Sequence, residues 1–229
     1  MRIGILQPGY LPWLGFFEQM HRSDIFVLYD DVPYDKHGWR NRNKIKTPNG
    51  AQWLTVPVLT RFSGHTLVNT VMINNEVDWR RKHLHSIRQN YSRSPYYRMY
   101  SFIFEETFAR KWEYLIDLDL HFIVKLAEGL GMSTEKIVRS STLGVSGNRM
   151  ERLIAICKRF NATTFYEGAS GKSYIDENRF LEEGIMVTFQ DYHHPVYGQL
   201  YGEFIPYLSV IDLLFNEGAK SMSVLTHQT

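Results

Sequence analysis

The chain has 229 residues, of which 44% are hydrophobic and 22% charged, and its formal net charge is +2 at pH 7. This composition predicts a globular protein and excludes a whole-molecule field of the kind that attracts nucleic acids or membranes. The single cysteine, Cys157, excludes an internal disulfide and a cysteine-rich zinc site. No apolar run approaches the roughly 18 residues of a membrane span, and no signal-peptide pattern precedes the first predicted strand. We therefore expect a cytoplasmic protein.

The first 44 residues predict a βαβ unit. Residues 2–6 and 25–29 are short runs rich in Ile, Leu, Val and Phe, as buried parallel strands are. Between them, Pro12 suits the first turn of a helix. Because a parallel sheet gathers functional groups at the carboxyl ends of its strands, we expect the loops after these two strands to contribute to one site.

The middle of the chain predicts a small β element followed by helices. Residues 51–59 predict a strand that Pro57 places at a sheet edge, with residues 68–73 as its candidate partner. Three helical segments follow, each with a start or stop signal: residues 76–91 behind Asn74 or Asn75, a segment starting at Ser94 and Pro95, and residues 113–130 before Gly131.

The alternation of strands and helices returns after residue 135. Strands are predicted at 136–139, 163–166 and 185–189, and helices at 148–160, 176–183 and 209–215. Ser209 is the predicted cap of the last helix, with Asp212 at the capping-box position. We predict an α/β fold, a Rossmann-like and mostly parallel sheet flanked by helices, in a single domain of residues 1–229 with a helical insertion at 74–131.

The first loop, residues 7–15, connects a strand to a helix, where backbone amides bind anions well. Nucleotidyltransferase-type α/β proteins place a pair of histidines here to bind phosphate, but this loop contains none. Gln7 and Tyr10 remain candidate substrate contacts, because loops at strand ends often carry function. The alternative is a tight loop whose aromatic side chains pack beneath it.

Asp30 and Asp31 end the second predicted strand. Adjacent carboxylates repel unless a cation or a donor lies between them, and Mg²⁺ bound together with substrate phosphates would suit them, although no dedicated metal-ligand set is predicted. Side chains alternate along a strand, so we expect one of the two aspartates to face the site as a catalytic group. The alternative is a helix cap or a turn aspartate.

A basic segment follows these acids, with five Lys or Arg residues and no acid between Lys36 and Lys46. Arginine binds phosphate through two parallel hydrogen bonds, an indole offers its face to a base or a sugar ring, and amides bind hydroxyls. The alternative is a solvated, charged surface. The candidate substrate-binding residues of the segment are Lys36, Trp39, Arg40, Asn41, Arg42 and Asn43.

Two later segments also follow predicted strands. Residues 168–173 resemble a phosphate-binding loop, but the Walker pattern needs four residues between its glycines and here there are two, so only Lys172 is kept as a candidate contact. His194 is a candidate general base because histidine titrates near neutrality, with a structural histidine as the alternative. Tyr197 and Gln199, in the same segment, are candidate substrate contacts.

Motifs spread in order over nearly the whole chain resemble those of the WbqC-like protein family. Residues 80–135 contribute little to the resemblance. It rests on Gln7-Pro8-x-Tyr10-Leu11-Pro12-x-Leu14-Gly15, Tyr29-Asp30-Asp31-Val32-x-Tyr34, Gly38-Trp39-Arg40-Asn41-Arg42-Asn43, Trp53-Leu54-Thr55-Val56-Pro57, Arg152-Leu153-Ile154-x-Ile156-Cys157-Lys158, Gly171-Lys172-x-Tyr174, His194-Pro195-x-Tyr197-x-Gln199 and Ser209-Val210-x-Asp212-Leu213-Leu214-Phe215-Asn216.

The resemblance implies work in the synthesis of bacterial O-antigen, capsule or exopolysaccharide. It is consistent with a transferase or ligase that acts on a nucleotide-activated or lipid-linked amino sugar, by acyl or aminoacyl transfer. Arg40 and Arg42 are then expected to hold the diphosphate, an aspartate to hold Mg²⁺ or a sugar hydroxyl, and His194 to act as base. The alternatives are a nucleic-acid-binding module that uses the basic aromatic loop 36–46, which the balanced charge disfavours, and a non-catalytic scaffold of a polysaccharide assembly complex.

Overall fold

The computed structural model describes residues 1–35, 38–59 and 66–227. Short 3-10 turns connect several of its helices and strands. In chain order, those helices and strands are β1 (Arg2–Leu6), α1 (Leu14–His21), β2 (Ile25–Leu28), β3 (Arg42–Thr47), β4 (Gly50–Thr55), β5 (Val58–Leu59), β6 (Met72–Ile73), α2 (Trp79–Tyr91), α3 (Tyr97–Ala109), α4 (Leu115–Gly129), β7 (Ile137–Arg139), α5 (Arg149–Arg159), β8 (Thr164–Glu167), α6 (Glu177–Glu182), β9 (Met186–Phe189), α7 (Val210–Glu217) and α8 (Ser221–Thr226).

The centre of the fold is a five-stranded parallel sheet with the order β7-β2-β1-β8-β9. The chain builds outward from β1 in one direction and then in the other, so the order reverses between β1 and β8. In open α/β sheets, ligands bind in the crevice at such a reversal, outside the carboxyl ends of the strands. The predicted Rossmann-like α/β fold is confirmed.

Helices cover both faces of this sheet. Ile3, Ile5 and Phe165 pack with apolar residues of α5 and α6 in one core. A larger core joins α1 and α7 with the three consecutive helices α2, α3 and α4, which fill the segment predicted as an insertion. Within the described ranges, no helix has the length and apolarity needed to cross a membrane.

The end of the basic segment, from Arg42 onward, forms the strand β3, where the sequence predicted a loop. β3 pairs antiparallel with β4 along its whole length. The predicted strand at 51–59 is instead two strands, because the chain leaves β4 at Val56 and Pro57 before it forms β5. β5 pairs with β6, so the predicted pairing with residues 68–73 is confirmed for its last two residues.

The predicted starts of α2 and α3 and the capping-box role of Asp212 are wrong. Helix α3 begins at Tyr97 behind Tyr96, not at Ser94 and Pro95. Helix α2 begins behind Asp78, while the side chain of Asn74 accepts a hydrogen bond from the Glu76 amide in the preceding turn. Ser209 does cap α7, by accepting from the Ile211 amide. Asp212 takes no part in that cap, because its carboxylate is bound by two tyrosines from elsewhere in the fold.

Candidate functional site

The carboxyl ends of the five parallel strands share one edge of the sheet. At the centre of this edge lies a cavity of about 390 Å³, which we call the aromatic compartment. It opens beside the loop that follows β1. Its walls are formed by Leu6, Gln7, Gly9, Pro12, Trp13, Phe16, Trp39, Arg40, Asn43 and Tyr207.

A second cavity, of about 280 Å³, adjoins the first one between the ends of β1 and β8. We call it the amide compartment because two glutamine side chains line it. Leu6, Trp13 and Phe16 belong to the walls of both compartments, so the two compartments are neighbours in one cleft region. The amide compartment is lined by Leu6, Trp13, Gly15, Phe16, Gln19, Gly168, Ala169, Ser170, Gln190 and Tyr192.

Exposed aromatic rings border the aromatic compartment. Trp39 is 44% exposed and Tyr207 is 54% exposed. The ring of Trp13 lies 5.6 Å from that of Tyr207 and 5.8 Å from that of Tyr192. Exposed aromatic faces on both sides of a cleft suit a flat base or the apolar face of a sugar ring.

Arg40 holds the first loop against the basic segment. Its guanidinium donates to the carbonyl oxygens of Gln7 (3.0 Å) and Pro8 (2.9 Å), and the Tyr10 amide donates to the Arg40 carbonyl oxygen. Burial lowers the pKa of Arg40. Gly9 permits this approach, because a Cβ there would lie 2.8 Å from the Trp39 carbonyl oxygen. Arg40 thus shapes the compartment from behind.

Two other cations lie at the outer rim. Trp39 and Trp53 have ring centroids 5.0 Å apart. The Arg42 guanidinium lies 4.7 Å from the Trp53 ring, and the Lys44 ammonium lies 4.9 Å from the same ring. This arrangement places positive charge beside an exposed indole face at the mouth of the cleft, where a phosphate can reach it.

The remaining candidates of the first loop and the basic segment differ in accessibility. Gln7 lines the compartment, and no hydrogen bond of its side-chain amide is found among the described residues. Asn43 donates to the Leu11 carbonyl oxygen (2.6 Å) and Asn41 donates to the Val56 carbonyl oxygen (2.8 Å), so both buried amides support the backbone. The buried Tyr10 hydroxyl pairs with His83 Nδ1 at 2.8 Å.

Asp30 and Asp31 lie at the sheet edge but outside both compartments. Asp30 is fully buried, and its carboxylate accepts hydrogen bonds from Arg139 (2.7 Å) and from the amide and hydroxyl of Ser141 (2.9 Å each). Asp31 forms an ion pair with Arg152. Each carboxylate therefore faces a guanidinium. Within the described ranges, no three His, Cys, Asp or Glu side chains are arranged to hold a metal ion.

His194 lies behind the aromatic wall. Its Nδ1 is 2.8 Å from the Pro195 carbonyl oxygen, and since a carbonyl only accepts, Nδ1 carries the proton. Nε2 is then a lone-pair acceptor, and it is buried without a hydrogen-bond partner in the described structure. Burial lowers the pKa of His194, and its ring lies 5.2 Å from that of Tyr207.

Tyr197 and Gln199 belong to a buried network beneath the cleft. The carboxylate of Asp212 accepts from the hydroxyls of Tyr197 (3.0 Å) and Tyr91 (2.8 Å). The buried Lys46 ammonium donates to Gln199 Oε1 at 3.0 Å, and the Lys46 amide donates to the Tyr91 hydroxyl. This network fixes the segment that carries the tyrosines of the cleft.

The candidate Lys172 does not line either compartment. Lys172 is exposed on a 3-10 turn after β8, with its ammonium 6.0 Å from the Phe189 ring. Lys36 lies outside the described residues.

The structure adds lining residues that sequence analysis did not select: Trp13, Gln19, Gln190, Tyr192 and Tyr207. Trp13 carried a signal, because it lies in the first loop. The others carried none, since only the tertiary fold brings α1, the end of β9 and the segment before α7 to the same edge.

Glu167, the last residue of β8, was also missed. Burial raises the pKa of Glu167 to about 7. Hydrogen bonds from the Gly168 amide (3.1 Å) and the Tyr174 hydroxyl (3.2 Å), together with the charge of Arg149, lower the pKa and offset part of this effect. Because the folded state binds this proton more tightly than the unfolded state, its contribution to stability is full below about pH 4.5. That contribution is lost as the pH rises to about 7.

Glu167→Gln is therefore expected to flatten the pH dependence of stability. As the pH rises from 4.5 to 7.5, the wild type should lose about 1–3 kcal/mol of unfolding free energy that the variant keeps, because glutamine retains the acceptor oxygen but carries no charge. Urea unfolding at a series of pH values measures this difference. Exposed Glu182, changed to glutamine, is the control, and parallel profiles for wild type and Glu167→Gln would contradict the expectation.

Residues 7–224 match the family described as the WbqC-like protein family. The chain is 34% identical over 228 residues to the uncharacterized protein Rv1507c of Mycobacterium tuberculosis (strain ATCC 25618 / H37Rv). The alignment covers 99% of this chain and 98% of that protein. No solved structure matches the chain significantly.

Proposed function

Because the chain belongs to the WbqC-like protein family, we propose that it is an enzyme of bacterial surface-polysaccharide precursor synthesis. In this proposal it is a transferase or ligase that acts on a nucleotide-activated amino sugar. The observation that supports it best is the cleft at the sheet reversal, which combines exposed aromatic faces with cations at one mouth.

The parts of a nucleotide sugar match the parts of this cleft. Trp39 and Tyr207 offer faces for the base and for a sugar ring. Arg42 and Lys44, beside Trp53, attract the diphosphate at the rim. The amide of Gln7, inside the aromatic compartment, can bind a hydroxyl as donor or acceptor.

The reaction that fits is transfer to the sugar amine. The amine nitrogen forms a bond to the carbonyl carbon of an activated acyl or aminoacyl donor, and the bond from that carbon to its leaving group breaks. The nitrogen loses one proton to a base. His194 is our candidate for this base, because burial lowers its pKa and its Nε2 has no hydrogen-bond partner in the described structure. Its ring lies 5.2 Å from the Tyr207 ring and 6.5 Å from the Tyr192 ring.

Trp39→Ala is expected to weaken binding of a nucleotide-linked amino sugar by about 10- to 100-fold, because the lost stacking is worth about 1–3 kcal/mol. Isothermal titration calorimetry with uridine and thymidine diphosphate sugars measures the loss. Phe102→Ala, at a half-exposed aromatic residue of α3, is the control and should bind like the wild type.

The same titrations separate the other functions. Binding of single-stranded oligonucleotides alone, with a steep dependence on salt, would replace the proposal with a nucleic-acid-binding module. If no nucleotide, nucleotide sugar or oligonucleotide binds, the enzyme proposal fails and the scaffold alternative gains support.

A further inference from the structure

The amide compartment carries polar groups that the proposed chemistry has not used. Gln19 and Gln190 are both buried, at 1% and 6% exposure, and both line the compartment. The compartment lies at the reversal of strand order, on the other side of Trp13 from the basic rim. Its chemistry therefore differs from that of its neighbour.

The orientations of the two glutamine amides are fixed by their partners. Gln19 Nε2 donates to the Tyr166 carbonyl oxygen at 2.9 Å. Gln190 Nε2 donates to the Gly15 carbonyl oxygen at 2.8 Å and to the carboxylate of Glu18. All three partners only accept, so the NH₂ groups must face them and the Oε1 atoms must face away.

The two Oε1 atoms are left without a partner among the described residues. A Cβ on Gly168, which lines the compartment, would lie 3.9 Å from Gln19 Oε1, so this oxygen points toward the compartment wall. Tyr192 also lines the compartment, and its hydroxyl is buried behind the compartment surface without a hydrogen-bond partner in the described structure. A buried hydroxyl left unpaired costs stability, so a ligand that draws the Tyr192 hydroxyl into a hydrogen bond would relieve that cost.

The kind of ligand follows from this donor and acceptor pattern. None of the described residues that line the compartment is a lysine or an arginine, so phosphate and carboxylate groups find no counter-charge there. Two carbonyl oxygens require hydrogen-bond donors from the ligand. A hydroxyl brings one such hydrogen and an amine brings at least two, so an amine satisfies the pattern better.

We propose that the amide compartment is the recognition site for the free amino group of the sugar, with Gln19 and Gln190 as acceptors and Tyr192 as an additional partner. This inference rests on the proposed function, because the nucleotide end of the same ligand occupies the aromatic compartment. The two compartments adjoin at the residues Leu6, Trp13 and Phe16, so a molecule that reaches past this wall would contact both. The site then selects the free amine before its acylation.

The test compares three probes, UDP-glucosamine, UDP-glucose and UDP, by calorimetry on the full chain. The wild type is expected to bind UDP-glucosamine at least about 10-fold more tightly than UDP-glucose. Gly168→Val places methyl groups over Gln19 Oε1 at an ordinary backbone conformation (φ −62°) and should abolish this preference while leaving UDP affinity unchanged.

Two further variants sharpen the test. Gly198→Val makes the same change at an exposed glycine, whose Cβ would meet only Glu217 Oε1 at 3.5 Å, and should keep the preference. Tyr192→Phe keeps the ring against Trp13 but removes the unpaired hydroxyl. It should lower the affinity for UDP-glucosamine by about 5-fold without loss of thermal stability.

The outcomes are distinct. Equal affinity of the wild type for UDP-glucosamine and UDP-glucose, or a preference that survives in both Gly168→Val and Tyr192→Phe, overturns the amine site while the nucleotide-sugar proposal stands. Failure of all three probes to bind overturns the proposed function and this inference with it.

Discussion

Asp212→Ala is expected to lower the free energy of unfolding by about 3–5 kcal/mol, the largest stability effect that we predict. Asp212 is fully buried, and its carboxylate is the common acceptor for the hydroxyls of Tyr91 and Tyr197. The change leaves both hydroxyls without an acceptor, leaves the nearby Lys46 ammonium without its negative neighbour, and opens a small cavity. Denaturant unfolding at pH 7 measures the loss.

Asp117→Ala is the matched control, because Asp117 is half-exposed on α4 and forms only a long, partly exposed ion pair of 3.9 Å with Arg139. That change should cost less than about 0.5 kcal/mol. Tyr197→Phe removes one donor and should cost about 1 kcal/mol, much less than the loss of the shared acceptor. A loss of under 1 kcal/mol for Asp212→Ala would show that the stability of the network does not depend on the Asp212 carboxylate.

The sheet was predictable from the sequence because each parallel strand carries its own local signal. Residues 2–6 and 25–29 are short apolar runs between turn residues, and the structure moves their ends by at most one residue. The reversal of strand order, which creates the cleft, has no local signal. It depends on where β8 pairs, and β8 lies more than 150 residues after β1.

The basic segment shows why local patterns mislead at a site. Its alternation of Arg42, Asn43 and Lys44 indicated a ligand-binding loop, yet these residues form β3 and their side chains alternate between the rim and the protein interior. Asn43 faces inward and supports the backbone, whereas Arg42 and Lys44 face Trp53. The chemistry was recognisable from composition, but the division of roles required the hairpin register.

The acidic pair illustrates the same limit. Two adjacent aspartates at a strand end indicated a cation, and each does face a positive charge, but the charges are Arg139 and Arg152 from β7 and α5. These partners lie more than 100 residues away in the sequence, and no spacing rule connects them. Long-range ion pairs and metal sites share one sequence pattern, so only the fold separates them.

Gly15→Ala is expected to reduce nucleotide-sugar affinity at least about 10-fold while stability is nearly unchanged. A Cβ on Gly15 would lie 2.2 Å from two atoms of the Trp13 ring, and because an indole is rigid the whole ring must move. Trp13 forms part of both compartments and contacts Tyr192 and Tyr207, so its movement disturbs the entire cleft. The gain of alanine over glycine near the start of α1, about 1 kcal/mol, offsets the strain.

Calorimetry with UDP-glucosamine and thermal unfolding together test this separation of binding from stability. Gly129→Ala is the matched control, because Gly129 is also helical and its Cβ would meet the side chains of Tyr100 and Leu214 at ordinary distances of 3.5–3.7 Å. It should raise stability by up to about 1 kcal/mol and leave affinity unchanged. Wild-type affinity in Gly15→Ala, with Trp13 displaced in a crystal structure of the variant, would show that the shared wall does not contact the ligand. Such a result would contradict a ligand that spans both compartments. Because Trp13 lines both of them, its movement must alter the binding of any molecule that reaches from one into the other.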